Sequence, residues 1–221
     1  MNLYVLVIGA IVLNLVFFAV KANKVRQRNY IGSYYFHKGI RRNLAQKHPQ
    51  LSEQQIDMVF RGLRDYFCIC HQAGNRMVSM PSQVIDDAWH EFILSTRIYQ
   101  QFCNKAFGRF LHHTPAEAMP TPTLAREGIK RSWRLACALE QINPNKPLRL
   151  PLIFAIDGLL NIEHGFSYQL DCKKGSEGAY CASHIGCSSG CGGSSGDASS
   201  SDSGCDSASG DSGCGGGCGG D

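Results

Sequence analysis

Between Asn2 and Val20 the chain has no charged residue, and beyond Lys174 it has no lysine or arginine. The first absence excludes an ordinary surface helix, which needs a polar face toward water. The run NLYVLVIGAIVLNLVFFAV is apolar except at Asn2, Gly9 and Asn14, and about 18 or more such residues suffice to cross a bilayer as a helix. The second absence leaves the C-terminal stretch without cations. The chain also lacks CxxC and HExxH spacings, which removes the commonest zinc-knuckle and zinc-protease patterns. Clustered Arg/Lys with interleaved aromatics, the footprint of a nucleic-acid binder, is absent too, so no nucleic-acid partner is expected.

What is present divides the chain into four parts: an anchor over 1–21, a juxtamembrane segment and first helix over 22–50, a helical domain over 51–170, and a low-complexity tail over 171–221. A cleavable signal peptide competes with the anchor, but its leading region should be basic. Here Met1 and Asn2 precede the apolar run, whereas Lys21, Lys24, Arg26 and Arg28 follow it. Basic residues close to a span tend to stay cytoplasmic. The expectation is an uncleaved single-pass anchor in membrane lipid, with the bulk of the chain in the cytoplasm. The eleven cysteines are then thiols or metal ligands, because disulfides are rare in a reducing compartment.

The middle reads as mainly α, a compact helical bundle. Ser52 and Gln55 form a capping box, and Ile56, Val59, Phe60, Leu63, Phe67 and Cys70 follow at helical spacing as far as Ala73-Gly74. Ser82 caps a second helix with Val84, Ile85, Ala88, Trp89, Phe92 and Ile93 on its apolar side. A third is predicted from Thr96 to Ala106, a long one from Thr123 to about Asn143, and a short one after Pro151. Cys68 and Cys70, two apart, point to different helix faces and read as structural. From about Gly175, Gly, Ser, Cys and Asp dominate and branched aliphatics end at Ile185. Such a segment cannot bury enough apolar surface to offset its ordering entropy, so disorder is expected from about Ser188 to Asp221.

The densest chemistry is Asp86-Asp87-Ala88-Trp89-His90, followed by Cys103 and by His112-His113. Asp86 and His90, four apart, share a helix face, and Asp87 and His90, three apart, can also meet. A carboxylate beside an imidazole either orients a general base or joins it on a metal. Asp86, His90, Cys103, His112 and His113 are therefore candidate ligands, and a mixed N, S and O set suits zinc. The plain alternative is a helical core in which the Cys behaves as a small hydrophobe. In the tail, Cys187 with Cys191 and Cys214 with Cys218 stand four apart, with His184 nearby. Flexible thiolates can wrap a soft metal ion, or they are incidental to a solvated extension.

The run Val84 to Leu94, with Thr96, Tyr99, Phe102-Cys103, Phe107-Gly108 and His112-His113-Thr114-Pro115, resembles the bacterial glycine-rich-domain-containing-protein-like family. The resemblance implies that Trp89, His90, Cys103, His112 and His113 belong to a family pattern, and it supplies no agreed catalytic residue. Three functions follow as expectations. The first is a non-enzymatic membrane-tethered adaptor that binds a protein partner. The second is a metal-binding protein or metal-dependent hydrolase using Asp86, His90, Cys103 and His113. The third is a tail that senses metal or redox state.

Overall fold

The computed structural model describes residues 2–114, 122–170, 180–181 and 185. The tail calls at His184, Cys187, Cys191, Cys214 and Cys218 lie outside the described residues. Among those described, the fold is mainly helical, with seven helices and one short pair of strands.

Helix α1 (Asn2–Gly32) is a single 31-residue helix. Its apolar part lies in the open, with Leu13 71% and Phe17 62% exposed, and it is long and apolar enough to cross a membrane. Asn14 donates its Nδ2 to the carbonyl of Ala10 at 2.9 Å. The one strongly polar side chain inside the run therefore meets its own helix, as an apolar medium requires. The helix does not stop where the charges begin. It continues through Lys21 to Arg28, because Ile31 is fully buried in the domain and Tyr30 packs its ring against Phe102. Apolar anchorage at the far end carries the helix across a stretch that reads as a juxtamembrane linker.

Helix α2 (Lys38–Lys47) starts at His37, whose Nδ1 accepts from the Gly39 amide. Helix α3 (Glu53–Ala73) opens on the expected capping box, Ser52 Oγ accepting from the Gln55 amide and Gln55 Oε1 from the Ser52 amide. It ends at Gly74 with φ 65°, a left-handed conformation that glycine enters without strain. This helix is the central post, and α1, α2, α4, α6 and α7 all pack on it. The approach of α4 is close. A Cβ on Gly62 would sit 2.6 Å from Ile85 Cδ1, so glycine at 62 sets the spacing of the two helices.

Helix α4 (Gln83–Leu94) is followed by α5 (Thr96–Phe107) after Ser95, and α5 stops at Gly108 in the left-handed region. Helix α6 (Pro122–Leu139) is shorter than its apolar pattern suggests, because Trp133 Nε1 donates to the Pro144 carbonyl and pulls the following chain back along the helix. Helix α7 (Leu152–Leu159) is the short closing helix after Pro151. Strand β1 (Tyr168–Gln169) pairs in parallel with β2 (Tyr180–Cys181), an element the sequence pattern does not announce.

The core is aromatic. Phe36, Phe60, Phe67, Phe92 and Phe102 are all buried, with ring centroids such as Phe67–Phe102 at 5.0 Å and Phe36–Phe60 at 4.8 Å. Such pairs add about 0.5–1.5 kcal/mol each beyond their burial. Among the described residues no buried side-chain polar atom lacks a partner.

One buried carboxylate ties this core together. Asp157 on α7, 3% exposed, accepts from Ser82 Oγ at 2.7 Å, from the Gln83 amide at 2.7 Å, from the Val84 amide at 3.2 Å and from the Phe166 amide at 2.9 Å. Ser82 Oγ in turn accepts from the Ile85 amide at 3.2 Å. A negative group at the start of α4 meets free amides and the positive end of the helix dipole. That fixes the helix which carries Asp86 and His90.

Candidate metal centre

Asp86 and Asp87 are adjacent but serve different faces of α4. Asp87, 5% exposed, points to the end of α2, where Lys47 Nζ lies at 2.6 Å and His48 Nε2 at 2.8 Å from its two oxygens. It locks α2 onto α4 and makes no pair with His90. Asp86 points the other way, into a cavity of about 470 Å³. His90 Nδ1, one turn later on the same face, lies 3.5 Å from Asp86 Oδ2. His113 reaches the same carboxylate from the segment after α5, its Nε2 lying 2.8 Å from Asp86 Oδ1.

These three side chains are the described cluster of donors with metal-holding geometry, one ligand atom from each lying within 4.8 Å of the others. In a tetrahedral site with bonds near 2.0–2.1 Å, neighbouring ligand atoms stand about 3.3 Å apart. The two Asp86 contacts, one on each oxygen, lie at 2.8 and 3.5 Å, on either side of that value. The imidazole rings of His90 and His113 lie with centroids 4.4 Å apart, tilted 55° to each other.

His113 is held by a chain of buried contacts. Trp89 Nε1 donates to Tyr99 Oη at 3.1 Å, and the Tyr99 hydroxyl donates to the Leu111 carbonyl at 2.5 Å. The segment after α5 is thereby pinned two residues before His113, whose ring stands edge-on to Trp89 at 4.6 Å. The opposite wall of the cavity is pinned as well. Ser132 Oγ donates to the Ser79 carbonyl and Ser79 Oγ to the Ala125 carbonyl, and Gly128 lets Ser79 come close, since a Cβ there would meet the Ser79 amide nitrogen at 3.1 Å.

The other candidates fall elsewhere. Cys103 is fully buried; burial pushes its thiol up, and it hydrogen-bonds with Tyr99. It is a core residue and is not among the converging donors. His112 lines the cavity, but its ring packs against Phe110 at 4.8 Å and it gives no donor to the cluster. Of the adjacent histidines, only His113 faces Asp86. Cys70 also lines the cavity, where burial raises its thiol to about 12. A thiol raised in this way favours its protonated form. Two residues that are not among the candidate site residues complete the frame: Tyr99, which places His113, and Asp157, which places α4.

A donor set of two imidazoles and one carboxylate fits zinc and other divalent transition metals. The same trio without metal is a carboxylate-oriented imidazole pair, competent to move a proton.

A family model described as UCP032817-like matches residues 26–186. That span includes the run Val84 to Pro115 on which the resemblance to glycine-rich-domain proteins rests, but the description that matches carries no glycine-rich domain. No curated protein and no solved structure matches the chain.

Proposed function

The chain belongs to the UCP032817-like family, an uncharacterised one, and from the geometry of its cavity we propose that it is a membrane-tethered binding module whose ligand site is a divalent metal centre formed by Asp86, His90 and His113. The observation that carries this reading is the convergence of those three donors from two separate segments on one cavity wall. Zinc is the metal that the donor set suits best. A second reading, metal-dependent hydrolysis, draws on the fact that three protein ligands leave a coordination position for water, the pattern of catalytic zinc sites.

The tether is α1. Its exposed apolar surface, Leu6 to Val20, is too large to leave in water, and a bilayer covers all sides of a helix at once. Lys21, Lys24, Arg26 and Arg28 at its end favour the cytoplasmic side for the domain.

The test is isothermal titration of zinc into the full-length protein, extracted from the membrane fraction in mild detergent, beside the variants His113→Ala and Cys103→Ala. The reading expects one site in the wild type, retention in Cys103→Ala and loss in His113→Ala. Equal binding by the wild type and His113→Ala removes it.

A further inference from the structure

The cavity lies at one particular end of the domain. Helix α3 runs antiparallel to α1: Arg64 Nη1 donates to the Tyr34 carbonyl at 3.3 Å, and one stretch later His71 Nε2 meets Gln27 Oε1 at 3.1 Å. As α3 advances, α1 is met nearer its apolar segment. Helix α5 does the same. Phe102 packs on Tyr34 at 4.6 Å, Lys105 Nζ lies 5.9 Å from the ring of Tyr30, and a Cβ on Gly108 would come within 3.7 Å of Gln27 Nε2.

Both helices therefore end at the level of Gln27. At about 1.5 Å per residue, Gln27 stands only about 10 Å beyond Val20, the last residue of the apolar run. The two connections that leave these ends contribute residues 74–80, and Arg109 with residues 111–114, to the lining of the metal-centre cavity. They are tied to each other by Arg109 Nη2, which donates to the Gly74 carbonyl at 2.6 Å.

The charge at this end is positive except for Asp86 in the cavity and Glu127 in the recess beside it. Arg76 and Arg109 line the cavity, and neither makes an ion pair with a carboxylate among the described residues. Arg76 also lines an adjoining recess of about 330 Å³ with Lys130, Arg131 and Arg134, where Glu127 is the sole acid. Arg131 is held in place by donating to the Met77 carbonyl. Lys24 and Arg28 on α1 lie near His71, whose protonation is disfavoured by burial first and by these two charges next.

We propose that the cavity takes the phosphate headgroup of an anionic phospholipid at the bilayer surface, with Arg76 and Arg109 as the residues that hold the phosphate. The proposal rests on the tethered, metal-binding reading above and names the ligand class of that same site. Guanidinium groups match phosphate oxygens in a bidentate fork, and an anchored domain meets headgroups without a diffusional search. A divalent ion on Asp86, His90 and His113 adds positive charge to the cavity that would otherwise present one carboxylate to the phosphate.

Native mass spectrometry of the full-length protein, released from detergent micelles with added zinc and phosphatidylglycerol, reads the lipid and the metal as separate mass increments. The expected wild-type spectrum shows one retained phosphatidylglycerol. In R76Q/R109Q the lipid-bound fraction falls about tenfold while the zinc increment is unchanged, and in K38Q/R42Q, which alters only exposed charges on α2 away from the cavity, the lipid stays. A lipid increment lost in R76Q/R109Q with no zinc in any spectrum upholds the phosphate site and removes the metal centre instead. Equal lipid retention in wild type and R76Q/R109Q overturns the proposal. So does a bound inorganic phosphate, added in a parallel arm, with no lipid increment, because the ligand is then a free phosphate.

Discussion

The Nε2 of His113 lies 2.8 Å from Oδ1 of Asp86 across 27 positions of sequence, and His90 approaches the other oxygen of the same carboxylate. A lone exposed pair contributes little, about 0–1 kcal/mol. Two imidazoles converging on one carboxylate at a cavity wall instead form a site with directed donors, and the residues that hold it there give it testable consequences.

Tyr99 is the bridge that sets His113. Tyr99→Phe removes the hydroxyl between Trp89 Nε1 and the Leu111 carbonyl and leaves both buried groups short of a partner. The expected cost is about 1–3 kcal/mol of stability, with a weaker zinc affinity than wild type. Thermal denaturation and zinc titration of the same samples check it. Unchanged values in both would mean that Leu111 and His113 are placed by something else.

Asp157 fixes the start of α4. Asp157→Ala strands the amides of Gln83, Val84 and Phe166 together with the Ser82 hydroxyl, and the loss of charge-assisted bonds at a helix start should cost about 3 kcal/mol or more. Chemical denaturation of the full-length protein in detergent measures this. A change below about 1 kcal/mol would contradict the role given to this carboxylate.

Asp65 predicts a pH dependence. Its carboxyl is raised from 3.8 to about 6, by burial first and by Glu140 next. The folded state therefore favours the neutral acid more than the unfolded state does. The ionised group weakens the fold above pH 6, the penalty shrinks as the pH falls from about 6 to about 4, and it is gone below that range. Asp65→Asn should accordingly be more stable than wild type at pH 7, with the difference vanishing near pH 4. Paired melting curves across pH 4–8 test it, and a constant difference would refute the assignment.

Local signals were readable in the sequence, and tertiary ones were not. The capping box at Ser52 and Gln55, the Ser82 cap and the stop at Gly74 each depend on neighbours within a few residues, and each stands where the pattern put it. The four-residue spacing of Asp86 and His90 likewise put them on one helix face. That Asp87 turns away toward Lys47 and His48 depends on α2, about 40 residues upstream, and the role of Asp157 depends on a contact across about 75 residues. Neither leaves a local trace. Cys103 shows the limit of residue type as a guide. It has the chemistry of a ligand, but its position among Tyr99, Phe102 and Ala106 puts it in the core. The extension of α1 to Gly32 was hidden because its basic stretch is polar, while the apolar contacts that sustain it come only at Tyr30 and Ile31.

X-ray absorption at the zinc edge of the full-length protein, purified from membranes without chelator, addresses the central claim most directly. The account predicts about one bound zinc with an inner shell of nitrogen and oxygen at about 2.0–2.2 Å, two of the scatterers showing imidazole signatures, and the loss of that signal in His113→Ala. A sulfur shell near 2.3 Å, or no retained metal, would contradict it.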